Sequence, residues 1–313
     1  MIRVEGVQHR FGAMKVLHDV WFNVPKGTVF GFIGPNGAGK TTTLRMMATL
    51  LEPDEGRILV GGYDVVERPN DVRRVLGFMP DGFGVYERVT VTEYLEFFAS
   101  AHAIPLDKRK RTVEAVMELT DLGPLRERLV AAMSKGMKQR LAIARTLLHD
   151  PEVLILDEPA NGLDPRARIE MRDLIEQLQQ LGKTIVLSSH ILTELSDMVS
   201  AVCILEKGRV LASGPVDRIG QQLRPEQASA RAMKLRLLHY PEGCEAPIRE
   251  LPQVAHVERA PDGFLRIGYH GGDETVAAIV AKAVGAGLKV VRVEPERDDL
   301  EHIFLEVTRG ELQ

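Results

Sequence analysis

The chain has 313 residues, with 40 Lys and Arg against 44 Asp and Glu, a formal net charge of 40 − 44 = −4. That balance speaks against a protein that holds a nucleic-acid backbone by bulk charge, because such binding needs an excess of basic side chains. At 44% hydrophobic and 27% charged residues, the composition is that of a soluble globular chain of about two domains, large enough to form its core without a disulfide or metal staple.

Ile2, Val4 and Val7 alternate as a strand, and Val20-Trp21-Phe22-Asn23-Val24 reads as a second. Pro25-Lys26-Gly27 turns the chain into Val29–Ile33, an apolar run too short for a helix and consistent with a buried strand. A Gly-rich loop follows, then Leu44, Met47, Ala48 and Leu51 at helical spacing. From about residue 92 to 148 the pattern is helical. Val153–Leu156 is another short buried strand. Residues 166–181 form an amphipathic helix with Ile169, Leu174, Ile175, Leu178 and Leu181 on one side, ended by Gly182. Residues 184–188 are a third buried strand, and residues 202–205 and 210–212 flank a Lys207-Gly208 turn. Strands alternating with helices predict an α/β sheet that is largely parallel.

Residues 220–232, rich in Gln, Ala, Ser and Arg, read as a linker. Beyond them the pattern is strand 233–238, helix 244–251, strand 254–258, strand 264–269, helix 274–285, strand 288–293 and a last helix 299–307. That βαββαβ order is the ferredoxin-like, α+β arrangement. The two cysteines, Cys203 and Cys244, are far apart and match no metal-ligand spacing, so they read as reduced thiols. No run approaches the ~20 apolar residues that span a bilayer, and the first five residues begin no apolar signal core.

Gly34-Pro35-Asn36-Gly37-Ala38-Gly39-Lys40-Thr41 matches G-x-x-x-x-G-K-[ST] in full, between a strand and a helix. The glycines let backbone N–H groups point at phosphate oxygens, and the helix starting near Lys40 aims its positive end at the same place. Lys40 supplies a cation for the β- and γ-phosphates, Thr41 a hydroxyl for Mg²⁺, and Thr42 completes the nucleotide-binding set. Asp157-Glu158 closes the strand Val153–Leu156. An Asp there can hold the magnesium shell, and Glu158 can polarise a water towards the γ-phosphate. Alone, the pair is equally a strand-end turn; together with the loop it points to a nucleotide hydrolase.

Between these motifs lies Met133-Ser134-Lys135-Gly136-Met137-Lys138-Gln139-Arg140. It resembles the signature of ABC-type ATPases, usually Leu-Ser-Gly-Gly-Gln followed by a basic residue, Gln and Arg. Ser134, Gly136, Lys138, Gln139 and Arg140 match; Lys135 and Met137 depart. The resemblance implies that Ser134, Lys135, Gly136 and Met137 meet the γ-phosphate of an ATP held by the opposite subunit. It implies that Asn161-Gly162-Leu163-Asp164 is the D-loop at the dimer interface and that His190 is the switch histidine. It also implies that Phe11 stacks on adenine, with Val16 as an apolar neighbour. By residue type alone, Ser134 is equally an N-cap, His190 a strand-end cap and Phe11 a packing residue beside Gly12.

The family usually has Gln in the loop between its core and its helical subdomain. Here Gly77-Phe78-Met79-Pro80 is followed by Asp81. Asp81 is either a charged Mg²⁺ ligand or a turn residue before Gly82; it is shorter than Gln and donates no hydrogen bond.

The resemblance covers roughly residues 1–218. It implies a P-loop ABC ATPase cassette over 1–219, a RecA-like core plus a helical subdomain at about 85–150. The linker 220–232 and the α+β domain 233–313 follow. The latter resembles the small C-terminal extension of bacterial drug- and antibiotic-type exporter subunits. The implied function is an ATP-hydrolysing subunit, a head-to-tail homodimer closing on ATP and Mg²⁺ to drive a separate polytopic membrane permease, in the direction of export. Its place would be cytoplasmic and peripheral, on the inner face of the membrane through the permease, with no nucleic-acid partner. Two alternatives stay open: an ABC ATPase that regulates a membrane complex without transport, and a nucleic-acid-linked ABC ATPase.

Overall fold

A six-stranded sheet runs through the first of two units into which the chain divides, Met1–Val216 and Asp217–Gln313. The structure is a computed structural model that describes residues 1–82, 84, 86, 88–190, 195, 198–216, 218–219, 231–260 and 263–296. The first unit opens with a small antiparallel sheet of β1 (Ile2–Phe11), β2 (Met14–Val24), β4 (Glu55–Val60) and β5 (Tyr63–Asp64), in the order β2-β1-β4-β5. The larger sheet holds β3 (Val29–Ile33), β6 (Leu76–Met79), β7 (Val153–Leu156), β8 (Thr184–Ser189), β9 (Ala201–Glu206) and β10 (Arg209–Pro215). Its order is β10-β9-β3-β8-β7-β6. All neighbours are parallel except β10, which closes one edge antiparallel to β9. Every residue of β3, β7, β8 and β9 is buried. A parallel strand covered on both faces has no polar side to show, so these strands are dominated by apolar runs, with polar residues only at the ends of β8 and β9.

The two sheets share a core. Phe22 of β2 packs its ring 5.9 Å from Phe30 and 5.2 Å from Phe32, both on β3. Among the described residues, six α-helices complete the unit: α1 (Lys40–Met47), α2 (Pro69–Val75), α3 (Val91–Ala101), α4 (Leu106–Leu119), α5 (Lys135–Leu147) and α6 (Pro165–Gln180). Local sequence sets their starts. At α3, Glu93 N–H donates to Thr90 Oγ1 at 3.2 Å and Thr90 N–H to Glu93 Oε2 at 2.8 Å, a reciprocal cap. Among the described residues no helix is long and apolar enough to cross a membrane.

Residues 77–79, to which the sequence pattern assigns no element, belong to β6, an edge strand paired with β7; Asp81 therefore follows a strand end. One expectation needs correction here. The buried face of α6 is Met171, Leu174, Ile175 and Leu178, while Ile169 is exposed. Ile169 stands two residues before Met171, about 200° around the helix. Leu181, also exposed, is the C-cap beyond the last turn.

The second unit holds β11 (Arg231–Leu237), α7 (Ala246–Arg249), β12 (Val254–Arg259), β13 (Leu265–Tyr269), α8 (Asp273–Gly285) and β14 (Val290–Glu296). Its sheet order is β12-β13-β11-β14, antiparallel throughout, which with the element order gives the ferredoxin-like arrangement. Met233, Leu235 and Leu237 alternate into a core with Ile248 and Ile279. β11 begins at Arg231, inside the stretch read as linker. The expected helix at 299–307 lies outside the described residues.

Both cysteines are buried and free. Burial pushes both thiols above the ordinary cysteine value, Cys203 most strongly, and only the thiolate is reactive. A thiol reagent is expected to titrate neither group in the native protein and both in denaturant. A fast native reaction would contradict this packing.

Candidate nucleotide-binding site

The loop after β3 closes only because particular positions lack a side chain. A Cβ on Gly34 would stand 2.2 Å from the carbonyl oxygen of Leu205 on β9, and one on Gly39, at φ +103°, 2.6 Å from Leu17 of β2. Lys40, the first residue of α1, is buried, and its Nζ donates to Gly34 O at 2.7 Å and Pro35 O at 3.3 Å. Nζ also lies 3.8 Å from Glu158 Oε1. Burial pulls the Lys40 ammonium below the ordinary lysine value, and the charges of Glu158 and Asp157 pull the other way. An arriving phosphate adds to that second pull.

Asp157, directly after β7, is 1% exposed and fully engaged. Thr41 Oγ1 donates to its Oδ2 at 3.1 Å, and Ser188 Oγ to its Oδ1 at 2.5 Å. Ser188 Oγ in turn accepts from Glu158 N–H at 2.8 Å. Ser188 was not singled out from the sequence; its only signal there is a hydroxyl at the end of a buried apolar strand. Glu158 adopts φ +52°, a left-handed conformation that costs a non-glycine residue about 1–3 kcal/mol and tends to occur at functional sites. Its Oε2 lies 2.9 Å from His190 Nδ1, and its carbonyl accepts from Asn161 N–H at 3.1 Å.

These groups surround one cavity of about 640 Å³. Asn36, Gly37, Gly39, Lys40, Thr41 and Thr42 line it together with Glu158, Asn161, His190 and Asp81, and so do Phe11, Val16 and Lys207. Phe11 is 51% exposed, so it is not a core residue. Gly34, Ala38 and Asp157 are not part of the lining. Nor are Ser134, Lys135, Gly136 and Met137 at the start of α5, or Gly162, Leu163 and Asp164. Ser134 Oγ caps α5 by accepting from Met137 N–H at 3.3 Å, and Asp164 Oδ1 caps α6 by accepting from Ala167 N–H at 3.0 Å. Gln139 Nε2 donates to Asn161 O at 3.4 Å, tying α5 to the segment that follows Glu158. The Lys207-Gly208 turn, which the sequence marked only as a turn, braces the phosphate loop. Gly208 N–H donates to Ala38 O at 2.9 Å, and Gly208 O accepts from His18 N–H at 2.8 Å.

A glycine loop that opens a helix at the end of β3, facing a carboxylate pair at the end of β7, defines a P-loop nucleotide-binding protein. The ABC transporter family profile matches residues 17–161. Over 307 residues the chain is 32% identical to the daunorubicin resistance ATP-binding protein of Streptomyces coeruleorubidus, covering 98% of this chain and 95% of that one. It is 33% identical over 316 residues to the bacitracin transport ATP-binding protein of Bacillus licheniformis, covering 99% and 98%. A solved ATP-binding subunit of an ABC transporter superposes with a TM-score of 0.63 at 32% identity, over 72% of this chain and 92% of that one. The chain belongs to the ATP-binding proteins of ABC transporters, and with them it is an ATP-binding ATPase.

Proposed function

We propose that this chain is the energy-supplying subunit of an exporter of the drug- and antibiotic-type branch, working as a head-to-tail homodimer that closes on ATP and Mg²⁺ and drives a separate polytopic permease. The observation that carries the reading is the meeting of Lys40, Thr41, Glu158, His190 and Phe11 in the lining of one cavity. In this reading adenine stacks on Phe11 beside Val16, and the loop from Gly34 to Thr42 wraps the phosphates. Lys40 exchanges its loop carbonyls for phosphate oxygens. Glu158 takes a proton from the attacking water, and His190 holds the Glu158 carboxylate. The donors suit Mg²⁺: Thr41 Oγ1 and Asp157 Oδ2 are hard oxygens, and Asp81 is a third on the cavity wall. Mg²⁺ commonly takes only one or two carboxylates beside substrate phosphates, so the absence of a three-residue His/Cys/Asp/Glu cluster among the described residues is no obstacle. Bound there, the ion would neutralise charge developing on the phosphates.

Asn161 lines its own chain's cavity, whereas Ser134, Lys135, Gly136 and Met137 of the signature, and Gly162, Leu163 and Asp164 of the D-loop, do not. That supports their use on the ATP of a second copy. Export is supported by the relatives for daunorubicin resistance and bacitracin transport. Residues 1–219 act as the cassette, with a helical subdomain at about 85–150, and 233–313 as an accessory domain that braces the dimer. The permease docks near Asp81 and α3, where Tyr86 and Phe97 are 57% and 53% exposed with rings 5.5 Å apart; exposed aromatics suit a partner surface. The chain then sits on the cytoplasmic face of the membrane through the permease.

Light scattering on the purified chain tests the dimer. A monomer with ADP and a dimer with Mg²⁺ and a non-hydrolysable ATP analogue are expected, and Ser134→Arg is expected to stay monomeric in both. A monomer at saturating analogue would remove the sandwich from the reading.

A further inference from the structure

β1 buries an apolar row, Ile2, Val4 and Val7, and then places His9 in the same row, 5% exposed. An aliphatic side chain suits that position better than an imidazole. No hydrogen bond of proper geometry reaches either ring nitrogen among the described residues. The nearest charged group is Asp54, whose Oδ2 stands 3.4 Å from His9 Nδ1, within ion-pair reach. A buried polar ring with so little to satisfy it is costly, so packing alone does not account for histidine here.

What His9 touches supplies a reason. Its ring meets that of Phe11 edge to face, centroids 4.6 Å apart at 89°. Phe11 is otherwise half exposed and lines the cavity, on the hairpin pair Phe11↔Met14. An exposed ring with free rotamers makes a poor stacking platform, because ordering it on binding costs entropy. Asp54 is fixed in turn: its N–H donates to Gln8 O at 3.0 Å, and its Oδ2 accepts from Arg10 N–H at 2.7 Å. Asp54 lies on the segment that leads from α1 to β4. The same segment thus links the helix that starts at Lys40 to the residues that hold the Phe11 ring.

We propose that His9, braced by Asp54, is a positioning residue that presets the Phe11 ring at the base end of the cavity and thereby strengthens ATP binding. The proposal rests on reading Phe11 as the adenine platform. Steady-state ATP hydrolysis by the full chain tests it with His9→Leu, Asp54→Asn, Phe11→Ala and the double variant His9→Leu/Phe11→Ala. His9→Leu is expected to raise KM for ATP about fivefold, the size of one aromatic edge-to-face contact, with kcat unchanged. Asp54→Asn, at an exposed position that any fold tolerates, is expected to shift KM in the same direction. In the Phe11→Ala background His9→Leu is expected to add nothing. If Phe11→Ala raises KM while His9→Leu and Asp54→Asn leave it at the parent value, the proposal is overturned and the platform stands. If Phe11→Ala itself leaves KM unchanged, the platform reading falls. Should His9→Leu fail to fold, as seen by circular dichroism, Asp54→Asn decides alone on the same criterion.

Discussion

Glu158→Gln is expected to reduce steady-state ATP hydrolysis by about 10²–10⁴-fold, the usual contribution of a positioned general base, while ATP still binds. Glutamine keeps the size of the side chain but takes up no proton. The backbone contacts that place residue 158, its N–H on Ser188 Oγ and its carbonyl under Asn161 N–H, do not involve the carboxylate and survive the change. The left-handed φ of +52° is as unfavourable for Gln as for Glu, so the fold sees little difference. Two neighbours do feel the loss. Lys40 loses the larger of the two charges that oppose its desolvation, and His190 Nδ1 keeps a neutral partner in place of an anion. Phosphate release measures the chemistry, a titration with ATP measures the binding, and light scattering shows whether the unhydrolysed complex accumulates as a dimer. Turnover near the parent rate would remove Glu158 from the role of base.

The site was legible where its chemistry is contiguous. Gly34 to Thr41 and Asp157-Glu158 each carry their meaning in a few residues, and each is flanked by apolar runs that place it at a strand end. The alternation of Met233, Leu235 and Leu237 likewise exposes one buried face of the second unit. Groups that act through distant contacts carried no such mark. Ser188 joins Asp157 to the Glu158 backbone across a separation of 31 residues. Gly208 supports Ala38 from a hairpin elsewhere in the sequence. His9 looks like one more residue of an alternating strand until its ring is found against Phe11. β6 has no mark in the sequence, because an edge strand of four residues with Gly77 in it shows little periodicity. Its pairing with β7 is a tertiary fact, and tertiary context overrides weak local preference.

Lys40→Ala is expected to weaken ATP binding roughly tenfold to a hundredfold, the range for losing one charge-assisted hydrogen bond to a largely desolvated partner, and to abolish measurable turnover at ordinary ATP concentrations. The geometry explains why one residue carries so much. Nζ lies 3.8 Å from Glu158 Oε1, and it holds the carbonyls of Gly34 and Pro35. Alanine therefore leaves two loop carbonyls without their donor and the Glu158 carboxylate without its nearby positive charge. Arginine is a poor substitute, because its planar fork cannot take the place of a compact ammonium held between the carbonyls of Gly34 and Pro35; Lys40→Arg is expected to bind ATP weakly as well. A calorimetric titration in the Glu158→Gln background separates binding from turnover. Retained parent-like affinity in Lys40→Ala would mean that the Lys40 ammonium stays on its loop carbonyls and never reaches phosphate, and the phosphate-loop assignment would then rest on backbone N–H groups alone. Loss of affinity in both variants, with the melting temperature held within a few degrees, would assign the cation's work to the nucleotide and not to the fold.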